Sequence, residues 1–114
     1  MKTTPLKGMK DILPREQRIR DYVQGEILKT YRAAGFERIS TPIMEDMENL
    51  DKSDGGDNLN LIFKVLKRGD KLEKALASGS EKELSDMGLR YDLTLPLSRY
   101  YAANREQLPA PFKV

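Results

Sequence analysis

At 114 residues the chain has room for one domain with a modest core. Hydrophobic residues make up 39% and charged residues 33%, and a net charge of +2, with basic and acidic residues interleaved, is too small to predict nucleic-acid binding by itself. Cysteine and histidine are both absent, which excludes disulfides, thiol or imidazole catalysis and most transition-metal sites. No apolar run approaches the roughly 18 residues of a membrane helix. Met1-Lys2-Thr3-Thr4-Pro5 lacks a signal-peptide core, so a soluble cytoplasmic chain without membrane contact is expected.

Residues 1–7 read as an extended arm. Gly8-Met9-Lys10-Asp11-Ile12-Leu13-Pro14 is a turn and a helix start, with Pro14 suited to the first helical position and Glu16 to the positive end of the helix dipole. From Arg15 to Ala34 the residues Ile19, Tyr22, Val23, Ile27, Tyr31 and Ala34 fall on one stripe, opposite Arg18, Asp21, Gln24, Lys29 and Arg32. Such a stripe ordinarily faces a core. Gly25 lowers local helix propensity by about 1 kcal/mol relative to alanine and marks a place for close packing, while Gly35 is placed to end the helix. Phe36 to Thr41 alternate as a strand stopped by Pro42.

Met44 to Leu50 predict a short acidic helix or irregular stretch, and Asp51 to Asn58 a loop. The loop carboxylates do not match an EF-hand, which closes on a glutamate at its twelfth position, so no metal is expected there. Leu59 to Lys67 predict a strand with Leu61, Phe63 and Val65 on one face, and Arg68-Gly69-Asp70 turns the chain. Lys71 to Ala77 have helix-forming composition, with Leu72, Ala75 and Leu76 on one side. Ser80 with Glu83 has the capping-box pattern of a second short helix running through Leu84 and Met87.

Gly88 then reads as a turn residue before a strand over 88–93, with Thr94 as N-cap of a helix carrying Pro96 in its first turn and Leu97, Tyr100, Tyr101 and Asn104 at helical spacing. On such a strand Arg90, Asp92 and Thr94 point to one face. A cation, an anion and a hydroxyl in a row suit a small zwitterion, the carboxylate for its ammonium group and the hydroxyl as a second acceptor. The other reading is the exposed polar face of an antiparallel strand. Leu108-Pro109-Ala110-Pro111 is an extended connection, and Phe112-Lys113-Val114 begins another strand.

Three stretches together resemble the histidyl-tRNA synthetases, which are class II aminoacyl-tRNA synthetases. The run Leu89-Arg90-Tyr91-Asp92-Leu93-Thr94-Leu95-Pro96, with Arg99-Tyr100 behind it, resembles their histidine-binding segment in its Arg-Tyr-Asp-Leu-Thr form. Gly8-Met9-Lys10-Asp11-Ile12-Leu13-Pro14 resembles their Gly-x-x-Asp-x-Leu-Pro opening, and Gly35-Phe36-Glu37, Thr41-Pro42-Ile43 and Glu45 resemble their motif 1. The resemblance implies that Asp92 and Thr94 hold the α-amino group of histidine, with Arg90 in support. It also implies that motif 1, over about 15–45, builds a homodimer interface from Tyr22, Ile27, Tyr31, Phe36 and Pro42, which takes the motif 1 proline position. Residues 70–87 look like an insertion between two strands that other branches join by a tight turn. The family's motif 2, motif 3 and anticodon-binding domain have no counterpart here.

By this resemblance the chain is the N-terminal part of a catalytic domain. The full enzyme would use histidine, ATP and Mg2+ to form histidyl-adenylate and pass histidine to tRNA(His). The piece alone, holding none of the phosphate-binding residues, is expected to be inactive and to bind no cofactor. Two other readings stand beside it. One is the regulatory relative of these enzymes that binds ATP phosphoribosyltransferase in histidine synthesis, against which the intact Arg-Tyr-Asp-Leu-Thr-Leu-Pro run argues. The other is an unrelated interaction module, for which only composition speaks. The expected fold is α+β, a partial class II synthetase catalytic fold: antiparallel strands at about 36–41, 60–67 and 88–93, flanked by one long helix and shorter ones. A sheet so cut presents a raw edge and an uncovered apolar face, which favours self-association.

Overall fold

The computed structural model describes residues 1–52 and 61–114. The acidic loop from Ser53 to Asn58 and the first residues of the strand predicted from Leu59 lie outside them. The chain divides into two compact units, residues 1–39 with 111–114, and residues 40–110.

In the first unit, Pro14 opens helix α1 (Pro14–Ala33), where a missing N–H costs nothing. Gly8, at φ 85°, makes the turn before it, closed by the Met9 N–H donating to the Leu6 carbonyl at 2.9 Å. Glu16 accepts from Lys10 at 2.9 Å and from Arg20 at 2.8 Å, and these hydrogen bonds, Lys10's first, hold its carboxyl below the usual glutamate range. Gly35 ends the helix at φ 82°. The Phe36 N–H donates to the Tyr31 carbonyl and the Gly35 N–H to that of Arg32, both at 3.0 Å, so the end is a Schellman motif. Its usual hydrophobic contact is present as well: the Phe36 ring meets Tyr31 edge-on at 5.1 Å.

No residue of α1 is buried. Gly25 has open space where a Cβ would stand, so the close packing expected there is not made among the described residues. The strand predicted at 36–41 does not form. A strand needs a neighbour for every second pair of backbone groups, and here a single bond, from the Glu37 N–H to the Lys113 carbonyl at 2.9 Å, joins the segment to the tail. The strand expected to begin at Phe112 is absent for the same reason.

The second unit is an α+β arrangement around a three-stranded antiparallel sheet in the order β1 (Met44–Asp46), β3 (Ser85–Leu89), β2 (Lys64–Leu66). Glu45 and Lys64 both stand opposite Gly88 in the central strand, and the register shifts at Val65/Leu66, where Asp86 is the extra residue of β3. Helix α2 (Met47–Lys52) follows β1, and helix α3 (Asp70–Ser78) leads through a 3₁₀ turn, Glu81–Leu84, into β3. Ser80 caps that turn through its carbonyl, which accepts from the Glu83 N–H at 3.1 Å, and its side chain makes no cap. The predicted second helix therefore stops at Leu84, and Met87 belongs to a strand.

Gly88 explains the shift of that strand from the expected 88–93 to 85–89. It is no turn residue but lies inside the central strand, buried where a Cβ would come within 2.8 Å of Met47 Sδ and 2.9 Å of both Ile62 Cγ2 and Leu50 Cδ1. A glycine inside a strand marks such a close approach. Among the described residues Leu50 (1% exposed), Ile62, Ala75 and Pro96 are the buried apolar side chains. Leu61, Phe63 and Leu76 remain exposed, and so do Met44 and Met87 on the sheet.

Candidate functional site

The segment after β3 decides where the predicted site residues stand. Arg90 continues the ladder by one bond, its N–H donating to the Ile43 carbonyl at 2.9 Å. Its guanidinium turns back on the same stretch: Nη1 donates to the Thr41 carbonyl at 3.1 Å, to Thr41 Oγ1 at 2.6 Å and to the Pro42 carbonyl at 3.2 Å. Arg90 is therefore a clamp, and its charge is not offered to solvent in a row with Asp92 and Thr94. That row requires a strand through 94, and the strand ends at Leu89.

Residues 91–93 bend into helix α4 (Thr94–Asn104). Thr94 is the first helical residue and not the N-cap; Leu93 takes that position and makes no side-chain cap. The capping work passes to Asp92, whose Oδ1 accepts the Thr94 N–H at 3.2 Å, an Asx turn that satisfies one orphan donor of the helix start. Asp92 and Thr94 are both exposed. Among the described residues no other side chain or backbone donor reaches the Asp92 carboxylate, and no group bonds the Thr94 hydroxyl. An exposed carboxylate beside a hydroxyl can accept charge-assisted hydrogen bonds from an ammonium group.

Helix α4 is fixed at its middle by a pair that no local pattern in the sequence singles out. Glu45, on β1, is 5% exposed, and Arg99 grips it as a fork: Nε lies 2.9 Å from Oε2 and 3.2 Å from Oε1, and Nη2 lies 3.0 Å from Oε1. The partners are 54 residues apart in sequence, so no local periodicity announces them. The available signal was that both lie inside stretches that resemble a known family.

The residues predicted for a subunit interface divide between the units. Tyr22 (71% exposed), Ile27 and Tyr31 lie exposed on α1, and Phe36 is half-buried, with Lys113 Nζ 5.9 Å from its ring centre. Pro42 is exposed in the second unit, its carbonyl held by Arg90.

With this geometry, the comparisons with known proteins are decisive. The family model described as histidyl-tRNA synthetase matches residues 8–114. This chain belongs to the histidyl-tRNA synthetase family. It is 45% identical to the histidine–tRNA ligase of Leifsonia xyli over 113 residues, which cover 96% of this chain and 26% of that protein. It is 42% identical to the probable histidine–tRNA ligase of Tropheryma whipplei over 99% of this chain and 26% of that one. The crystal structure of histidyl-tRNA synthetase from Nostoc sp. PCC 7120 superposes with a TM-score of 0.74 at 28% identity, covering 97% of this chain and 23% of that chain. The α+β reading and the family resemblance are both borne out. This chain spans about a quarter of the length of the curated synthetases it matches. Among the described residues no helix is long and apolar enough to cross a membrane.

Proposed function

We propose that this chain is the amino-acid-binding front of a cytoplasmic histidine–tRNA ligase. In that reaction the histidine carboxylate displaces pyrophosphate from the ATP α-phosphate, giving histidyl-adenylate. The histidyl group then passes to the 3′ end of tRNA(His), releasing AMP. Asp92 and Thr94 receive the α-amino group of histidine, and Arg90 supports them by fixing the turn on which they stand. The observation that carries this reading is an exposed carboxylate and hydroxyl, two residues apart, on a turn pinned by a guanidinium to residues 41–42.

Magnesium would offset the phosphate charge of bound ATP. Among the described residues no group of three or more histidine, cysteine or acidic side chains is placed to hold a metal ion, so no step is assigned to it on this chain. The exposed stripe of α1 fits a second copy of the chain, with Tyr22, Ile27, Tyr31, Phe36 and Pro42 forming the homodimer interface. In the same reading motif 1 spans about 15–45, and 70–87 is an insertion before the histidine-binding segment 88–94.

The test is histidine-dependent pyrophosphate exchange by the full-length protein. Removing a hydrogen-bonded charge of this kind costs about 1.5–3 kcal/mol, so Asp92→Ala is expected to lower kcat/KM for histidine about 10- to 150-fold with unchanged circular dichroism. Exchange that does not depend on histidine, or that is untouched in Asp92→Ala, overturns the assignment.

A further inference from the structure

We infer that Arg99 is a positioning residue for the amino acid, acting through Glu45 to hold α4 and the Asp92–Thr94 turn in place. The inference rests on the proposed histidine-binding role of that turn.

The turn itself is weakly built. The bond its side chains make is local, from the Thr94 N–H to Asp92, and both side chains are exposed. Its position must come from its flanks, and both flanks are tied to the same short stretch, residues 41–45. Two residues before Asp92, Arg90 grips the Thr41 and Pro42 carbonyls and the Thr41 hydroxyl. Five residues after Thr94, Arg99 grips Glu45 through three hydrogen bonds of 2.9–3.2 Å. With about 3.6 residues per turn, Arg99 lies about one and a half helical turns beyond Thr94. Pro96, fully buried in the first turn, is a pivot between them. Without the Glu45 bond, α4 loses the contact that fixes its rotation relative to β1, and a shift of about 1 Å in a substrate-holding group is enough to cost about 100-fold in rate.

The chemistry of the pair points the same way. A carboxylate taken this far out of water loses hydration that its attraction to the guanidinium only roughly repays, so apolar residues of the same size usually serve stability as well or better. What apolar residues do not supply is the planar fork, which fixes both the distance and the rotation of the helix relative to β1.

The experiment uses the full-length protein and three variants: Arg99→Met, Arg99→Lys and the double variant Glu45→Met/Arg99→Met. Arg99→Met alone strands the buried carboxylate and is expected to lower the thermal midpoint. The double variant removes both charges and is expected to restore that midpoint to near the starting protein. Its KM for histidine, measured by pyrophosphate exchange, is nevertheless expected to stay raised about tenfold or more, with the KM for ATP within about twofold. Arg99→Lys keeps the charge without the fork and is expected to fold normally with a smaller rise in histidine KM. A double variant whose histidine KM returns together with its midpoint overturns the inference. Should the double variant fail to fold, an Arg99→Lys protein with unaltered histidine KM overturns it equally. Absence of histidine-dependent exchange in the unsubstituted protein is a different result: it sinks the parent reading and this inference with it.

Discussion

In α1 the side-chain bonds join residues four to six apart, whereas around β3 they join residues 48 to 54 apart. The helix has its ladder, its Schellman end and its Glu16 pairs supplied by neighbours in sequence, and among the described residues none of its side chains is fully buried. The sheet unit does the reverse. Its strands are three to five residues long, and they persist because Leu50 and Ile62 close over Gly88 while Arg90, just after β3, and Arg99, in the middle of α4, both bind residues 41–45. Local bonds give an element its shape without giving it a place. A helix with an exposed apolar stripe still needs a surface to bury it, because most helical stability in proteins comes from packing of such a face. The sheet unit is placed by its own packing, so it offers the firmer support for a binding site.

The largest test of this contrast is Leu50→Ala, which opens a cavity under the central strand and is expected to cost about 2–5 kcal/mol in urea denaturation. Gly88→Ala comes next. Its Cβ would meet three side-chain atoms at 2.8–2.9 Å, and overpacking of that kind costs about 1–3 kcal/mol. A Gly88→Ala protein as stable as its parent would mean that the sheet is not closed as described.

On the helix the expectation inverts. Tyr22→Ala with Ile27→Ala changes the stability of the separated chain by no more than about 0.5 kcal/mol per site. The same pair weakens self-association at least about tenfold in sedimentation equilibrium, because anchors of an interface lose more than about 1 kcal/mol each when truncated. Unchanged association would remove the stripe from the proposed dimer.

The smallest effect belongs to Glu16. Its carboxyl is held below the ordinary range, so the helix gains from it above the unfolded value, and the gain is lost as pH falls through the lowered folded value. The ellipticity of α1 should decline slightly over that acidic interval. Glu16→Gln and added salt should both flatten the change, since the group is exposed.

These ranges of interaction also explain what could be read from the chain unaided. Period, Pro14 and Gly35 located α1 to within a residue, because a helix closes its bonds over four residues and its caps are local. The stretches containing Asp11, Pro42 and Asp92 carried the family likeness, which the comparisons bear out. The antiparallel α+β character was legible too, and β2 falls inside the strand expected at 60–67, but the other strand positions were not legible. A strand at 36–41 was expected from alternation that found no partner, and Gly88 was taken for a turn because composition cannot say which glycine lies beneath a leucine and an isoleucine.

The sequence by itself therefore determined the long helix, its ends and the stretches that carry the family likeness. Only the tertiary structure decided that Arg90 faces inward, that Asp92 caps α4, and that Glu45 and Arg99 meet. Helical hydrogen bonds and caps depend on near neighbours, and the residue order states those neighbours directly. Strand boundaries and buried ion pairs depend on which distant segments lie side by side, and that is known only once the chain has closed on itself.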